Sequence, residues 1–390
     1  MHALRSLRLT AALLAAGLLA AGCASSGGGG TGQREVPDVP MAHSVGKGEG
    51  QLNIIVWAGY AEPKWVKPFE QQTGCQTHVK IGNTSDDMVS LMKTGQYDGV
   101  SASGDATLRL IYGGDVAPVN TDLVPNYKTI ASFLKNGDWN SVNGQMYGIP
   151  HGWGANLLMW DTQRVSGNLD SWSAVFDDAS KYKGKVTAYD SPIYIADAAL
   201  YLMETKPDLG IKDPYSLTED QLNAAIDLLK QQNANIGEYW SLYTKEVNAF
   251  ESGTLNVGTT WQVIANLIND DGKTHVKTVL PKEGATGWSD TWMIAKNAAH
   301  PNCMYKWMNW ITSPKVNAEV AEYFGEAPAQ TKACKMTSDP HFCDTYHALD
   351  ADYASKIYYW TTPQTQCVDG SGDNCTDYKE WTTKWEEVKG

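Results

Sequence analysis

Three short apolar runs separated by two amphipathic stretches, all within residues 52–100, limit this chain to few folds. The first run, Leu52-Asn53-Ile54-Ile55-Val56-Trp57, is too short and too continuously apolar for a surface helix, and it suits a strand buried on both faces. Gly59-Tyr60 interrupts it, and Glu62-Pro63 opens a helix that carries Trp65, Val66 and Phe69 on one side. Residues 77–81 form the second run. Gly82-Asn83-Thr84-Ser85-Asp86-Asp87 then leads into a helix bearing Met88, Leu91 and Met92, with Thr84 or Ser85 as its N-cap. Tyr97-Asp98-Gly99-Val100 begins the third run. Strand, helix, strand, helix, strand at this spacing predicts a parallel α/β layer. Such sheets bind ligands outside the carboxyl ends of their strands. Here those ends are Trp57-Ala58-Gly59-Tyr60, residues 82–86, and Ser101-Ala102-Ser103-Gly104-Asp105, all rich in small, polar or aromatic residues.

At 390 residues the chain has room for two domains, each with its own core. Tyr147-Gly148-Ile149-Pro150-His151-Gly152-Trp153-Gly154 precedes a long apolar run and suits a strand crossing between two lobes. Ser171-Trp172 predicts a helix start and residues 185–190 a strand. Residues 218–231 predict an amphipathic helix with Leu222, Ile226 and Leu229 inward and a Thr218/Gln221 capping box. Val257-Gly258-Thr259-Thr260-Trp261 is a strand ending on an aromatic residue. Gly287-Trp288-Ser289-Asp290-Thr291-Trp292-Met293-Ile294 is another, on which Trp288 and Asp290 point the same way. An indole face beside a carboxylate is what a soluble protein offers an organic cation: the ring quadrupole attracts the ammonium and the carboxylate accepts its N–H groups. The 15 Trp and 19 Tyr residues are enough to line a binding surface as well as cores. A formal charge of −13 repels nucleic acid and attracts cations at long range.

Arg5 and Arg8 precede an apolar run over residues 9–21 that ends at Gly22-Cys23. The run is too short to span a membrane comfortably and reads as a signal peptide over residues 1–22. Small residues directly before a Cys resemble the bacterial lipobox, which makes Cys23 the lipid-bearing first residue of the mature chain, although Ala20 stands where Leu is commoner. Residues 23–50, rich in Ser, Gly and Pro, predict a flexible tether. Six further cysteines, Cys75, Cys303, Cys334, Cys343, Cys367 and Cys375, are even in number in an exported chain, so disulfides are expected. Of the fifteen pairings six cysteines allow, loop length favours Cys334 with Cys343 and Cys367 with Cys375, leaving Cys75 and Cys303 as a long-range staple. No Cys/His spacing points to a metal, and no cofactor is implied. With no GxSxG, HExxH or Ser/His/Asp pattern, the chain reads as a non-enzyme. The rival readings are a secreted glycosidase with two carboxylates in an aromatic cleft, and an adhesive lipoprotein.

The order of motifs resembles one family. After the lipoprotein leader come Trp57-Ala58-Gly59-Tyr60, Tyr97-Asp98-Gly99-Val100, Tyr147-Gly148-Ile149-Pro150 with Trp153-Gly154, residues 258–261, and Pro281-Lys282-Glu283-Gly284 ahead of Trp288-Ser289-Asp290. Together, from about residue 52 to 328, these resemble the spermidine/putrescine-binding proteins of ABC importers. The resemblance implies the two-lobe α/β periplasmic-binding-protein fold (type II) with a ligand closed between the lobes. Residues 51–152 and 288–333 would form the first lobe, residues 153–287 the second, and residues 334–390 would return to the second. It implies a monomeric, lipid-anchored extracytoplasmic protein that passes a polyamine to a permease and its ATPase. By the same resemblance, Trp57 and Tyr60 form the first-lobe aromatic motif, Trp261 and Trp288 stack on the ligand, and Asp290 binds an ammonium. Asp190 is then a second-lobe acid, Ser241 a polar contact, and Ser85 and Asp86 lie where the family places hydroxyl contacts. Three positions depart from the pattern: Ile193 replaces a second-lobe acid, and Gly104 or Asp105 and Glu326 stand where the family has Tyr. Either the acids have moved to Asp105 and Glu326 for a differently shaped polyamine, or the ligand carries a single ammonium.

Overall fold

A computed structural model describes residues 35–390. The predicted signal peptide, the predicted lipidation site at Cys23 and the first part of the predicted tether lie outside the described residues. The apolar runs of the sequence become the centre of one sheet, ordered Ala327–Pro328, Ile149–Ala155, Ala285–Ala295, Gly99–Ala102, Gln51–Val56, Gln76–Ile81. The last three are parallel, as their spacing predicts, and the long strand Ala285–Ala295 runs antiparallel to Gly99–Ala102 and to Ile149–Ala155. Leu52, Ile54 and Val56 bury one face against Trp65 and Phe69 of helix Pro63–Thr73 and Trp307 and Met308 of helix Pro301–Ile311. Ile55 and Val100 bury the other against Met88, Met92 and Leu108. Both faces are covered, which is why the strand is continuously apolar. Each fully buried aliphatic side chain contributes about 1.5–3 kcal/mol.

A second sheet is ordered Ile236–Trp240, Val186–Tyr189, Val257–Thr260, Leu157–Asp161, Val276–Val279. Helix Glu219–Asn233 packs Leu222, Ile226 and Leu229 into the core on this side and begins at the predicted Thr218/Gln221 capping box. The chain passes from the first sheet to the second at Asn156 and returns between Val276–Val279 and Ala285–Ala295. At that junction the Asn156 backbone N–H donates to the Thr286 carbonyl at 2.8 Å, and its Nδ2 donates to Thr286 Oγ1 at 2.7 Å. The pairing of Ile149–Ala155 with Ala285–Ala295 shifts register between Asp290 and Thr291, which leaves His151 as the extra residue of a bulge.

Three expectations change. Ser171-Trp172 starts only a single 3₁₀ turn, Trp172–Ala174, because Trp172 is buried and its Nε1 donates to the Gly284 carbonyl at 2.9 Å. Residues 35–50 are not a free tether: Val39, Ala42 and Val45 pack against the first-sheet core, and Glu49 accepts the backbone N–H groups of Asn302 and Cys303, each at 3.0 Å. The C-terminal segment is shared between the two sheets. Ile357–Tyr359 pairs with the start of Ala285–Ala295, whereas helix Tyr378–Lys389 packs Trp381 and Trp385 into the core that holds Leu222.

The structure joins Cys75 to Cys303, Cys334 to Cys343 and Cys367 to Cys375, the pairing that loop length favours. Among the described residues no helix is long and apolar enough to cross a membrane, and no group of three His, Cys, Asp or Glu is placed to hold a metal ion. The Cys75–Cys303 bridge closes the longest loop and is fully buried beside Phe69 and Trp307. Replacing both cysteines by Ala is expected to lower unfolding free energy by about 2–5 kcal/mol, measured by urea denaturation under non-reducing conditions.

Candidate functional site

The strand ends converge as the α/β pattern requires. Trp57 and Ala58 follow Gln51–Val56, Gly82 and Asn83 follow Gln76–Ile81, and Ser103 follows Gly99–Ala102. From the second sheet, Tyr189 ends Val186–Tyr189, Ser241 to Tyr243 follow Ile236–Trp240, and Trp261 follows Val257–Thr260. With Trp288, Asp290, Phe324 and Trp360 they enclose a cavity of about 170 Å³ between the two sheets. Its walls are mostly rings held edge to face. Trp261 and Trp288 lie 6.2 Å apart at 68°, and Trp240 supports Trp261 from beneath at 4.8 Å and 85°. Tyr189 and Trp360 instead stack at 15°. A side chain at position 154 would collide with the Trp288 indole, and one at 152 with the Glu326 carboxyl, so two glycines in the crossing strand make room for the site.

Among the described residues, Asp290 is the one carboxylate in the cavity wall. It sits on the same side of its strand as Trp288 and is only 2% exposed. Ser103 Oγ lies 2.5 Å from its Oδ1, and the Tyr60 hydroxyl 2.6 Å from its Oδ2. The same hydroxyl lies 2.6 Å from Glu326 Oε2. A phenol has one proton to donate, so it cannot serve two carboxylates at once. Burial, reinforced by the charge of Asp290, pushes the Glu326 carboxyl well above the usual range. Glu326 is therefore the neutral acid that donates to the Tyr60 oxygen, while Tyr60 donates to Asp290. Burial also pushes Asp290 up to about 6, with the charge of Asp105 adding and the Ser103 and Tyr60 hydrogen bonds opposing. His151, 3.5 Å from Glu326 through Nε2, is pushed down to about 3 by burial, so the contact joins two neutral groups.

A second buried chain fixes Trp261. Its Nε1 donates to Asn156 Oδ1 at 2.9 Å, Asn156 Nδ2 donates to Thr286 Oγ1, and Thr286 Oγ1 donates to Asp197 Oδ1 at 3.0 Å. Burial pushes Asp197 up to about 8, so it is neutral at pH 7. The indole of a cavity residue is thus pinned to the crossing between the sheets.

Of the residues the sequence singled out, Trp57, Ser241, Trp261, Trp288 and Asp290 line the cavity. The other six do not. Tyr60 is fully buried behind Asp290, and Glu326 lies behind Tyr60. Thr84 takes the N-cap, which leaves Ser85 Oγ free to donate to the buried Asp105 at 2.8 Å. Asp86 points outward to Arg109 at 2.6 Å. Asp190 pairs with Lys389 at 3.0 Å and accepts from Trp385 Nε1 at 3.3 Å. It follows Tyr189, and alternation turns the tyrosine to the cavity and the acid to the C-terminal helix. Sequence reasoning missed Ser103, Tyr189, Phe324 and Trp360 as site residues. The strand-end rule marks the first two, and Trp360 closes the aromatic run Tyr358-Tyr359-Trp360.

Replacing Tyr60 by Phe leaves two buried carboxyl groups without their shared hydroxyl. The variant is expected to lose about 1–3 kcal/mol of stability, read by urea denaturation at pH 7.

The family described as bacterial extracellular solute-binding protein matches residues 64–343. A putrescine-binding periplasmic protein of Pseudomonas aeruginosa is 24% identical, over 70% of this chain and 76% of its own. A spermidine/putrescine-binding periplasmic protein of Salmonella typhimurium is also 24% identical, over 78% of this chain and 85% of its own. Among solved structures, a putative spermidine/putrescine ABC transporter protein from Listeria monocytogenes superposes with a TM-score of 0.72 at 19% identity, covering 87% of this chain and 99% of that one. A two-sheet α/β body with an aromatic cleft at its strand ends, matched over most of its length by this family, belongs to the bacterial extracellular solute-binding proteins.

Proposed function

We propose that this chain is the capture subunit of an ABC importer that takes up a cationic aliphatic amine related to the polyamines. It holds the amine outside the cytoplasmic membrane, anchored there through a lipid on Cys23, and delivers it to a permease driven by a cytoplasmic ATPase. The observation that carries this reading is Asp290, a carboxylate set among aromatic faces in the cleft between the sheets. An ammonium placed there pairs with Asp290 while rings flank its methylene chain, at roughly 0.5–2 kcal/mol per well-placed ring. An unpaired buried ammonium costs several kcal/mol, so Asp290 is the anchor and the rings add affinity. The names of the polyamine-binding relatives support the ligand class. A glycosidase reading finds no support in the cavity wall, which offers one carboxylate where that chemistry needs two.

Titration calorimetry against a panel of primary amines, diamines and spermidine is expected to give a saturable heat at one site, and Asp290→Asn to weaken it roughly tenfold or more. Binding of only neutral or anionic solutes is the result that removes the proposal. The pH dependence follows from Asp290, whose carboxyl titrates at about 6 in the free cleft. Above that pH the carboxylate is available to the amine, and below it a proton competes. Affinity is expected to be level above about pH 6.5 and to fall about tenfold per pH unit below about 6, measured by the same titration in matched buffers.

A further inference from the structure

We infer, building on the amine reading above, that the cleft selects an amine with one cationic nitrogen and an uncharged far end. Asp290 lies on the first-sheet side of the cavity, and among the described residues no second carboxylate joins it in the wall. The opposite side is made of Tyr189, Trp261, Trp360, Leu242, Tyr243 and Ser241, which offers rings, an aliphatic chain and uncharged hydroxyls. The other acids that the sequence singles out are committed elsewhere. Asp190 holds the chain's own ammonium, Lys389, at 3.0 Å, and Asp86 holds the Arg109 guanidinium at 2.6 Å. Asp105 is buried and takes the Ser85 hydroxyl, and Glu326, bonded to Tyr60, borders a separate cavity of only about 20 Å³ that shares Trp261 and Trp288.

A diamine that places one ammonium on Asp290 brings its second against rings and uncharged hydroxyls. Cation–π attraction returns only part of the hydration that such an ammonium gives up. An acylated or alkyl end of the same length loses little on entering that side. The charge count of the wall therefore sets the charge count of the ligand.

The test compares putrescine with N-acetylputrescine, which share a four-carbon chain but carry two charges and one, by calorimetry at pH 7.5 on the full mature chain. The expected result is at least tenfold tighter binding of the monocation. Two variants at exposed positions of the second-sheet wall, Ser241→Asp and Leu242→Glu, supply the missing acid. Each is expected to shift the putrescine to N-acetylputrescine affinity ratio at least tenfold toward the diamine. Putrescine bound as tightly as N-acetylputrescine by the unaltered chain, or a ratio unmoved by both variants, overturns the single-charge inference and leaves the amine reading standing. Failure of both amines to bind, with Asp290→Asn indifferent, overturns both.

Discussion

The antiparallel pairing of Ile149–Ala155 with Ala285–Ala295 is the constraint on which the rest of this molecule depends. One strand carries the chain into the second sheet and the other brings it back, so their register positions both halves of the cleft. The pair puts Gly154 opposite Trp288 and Gly152 opposite Asp290, so the indole and the Glu326 carboxyl lie close against bare backbone. The bulge at His151 absorbs the register shift and brings the imidazole to within 4.5 Å of the Tyr60 ring. Just beyond the pairing, Asn156 bonds to Thr286 and holds the Trp261 indole. A slip of one residue along these strands would move Trp288 and Asp290 to the opposite face together.

Charge at the site is controlled by subtraction. The chain is acidic overall, yet the acids around the cleft are paired, buried or protonated until one carboxylate faces the cavity. Tyr60 makes this possible, because a single hydroxyl both accepts a hydrogen bond from Glu326 and donates one to the ionised Asp290. The neutral acid behind it supplies a hydrogen bond without a second negative charge. Ser103 holds the other oxygen of Asp290, so the carboxylate is oriented before any ligand arrives.

Much of this was legible in the sequence where the signal was local. Period-two alternation put Trp288 and Asp290 on one face, strand-end position marked Trp57 as a neighbour of the cleft, and the family resemblance named Ser241 and Trp261. The expectations that fall outside the cavity wall are those where a partner far away in sequence decides which way a side chain turns. Tyr60 is separated from Glu326 by 266 positions, and Asp190 from Lys389 by 199. Nothing near Asp190 announces that a lysine of the last helix will take it. Residues 35–50 misled for a related reason: their composition is that of a linker, while Val39 and Val45 pack against the first-sheet core and Glu49 accepts the backbone N–H groups of residues 302 and 303.

The disulfide between Cys75 and Cys303 spans 228 positions, and the residues of the second sheet all lie between them. For a chain exported from its amino end, that arrangement orders events at the membrane. The first three strands emerge early and stay without their central antiparallel partner until Ala285–Ala295 has crossed. By then the second-sheet sequence is already outside and has what it needs to fold as an insertion. Oxidation of the pair has to wait until translocation has passed residue 303, so the bridge seals the first sheet only after the whole second-sheet sequence has crossed.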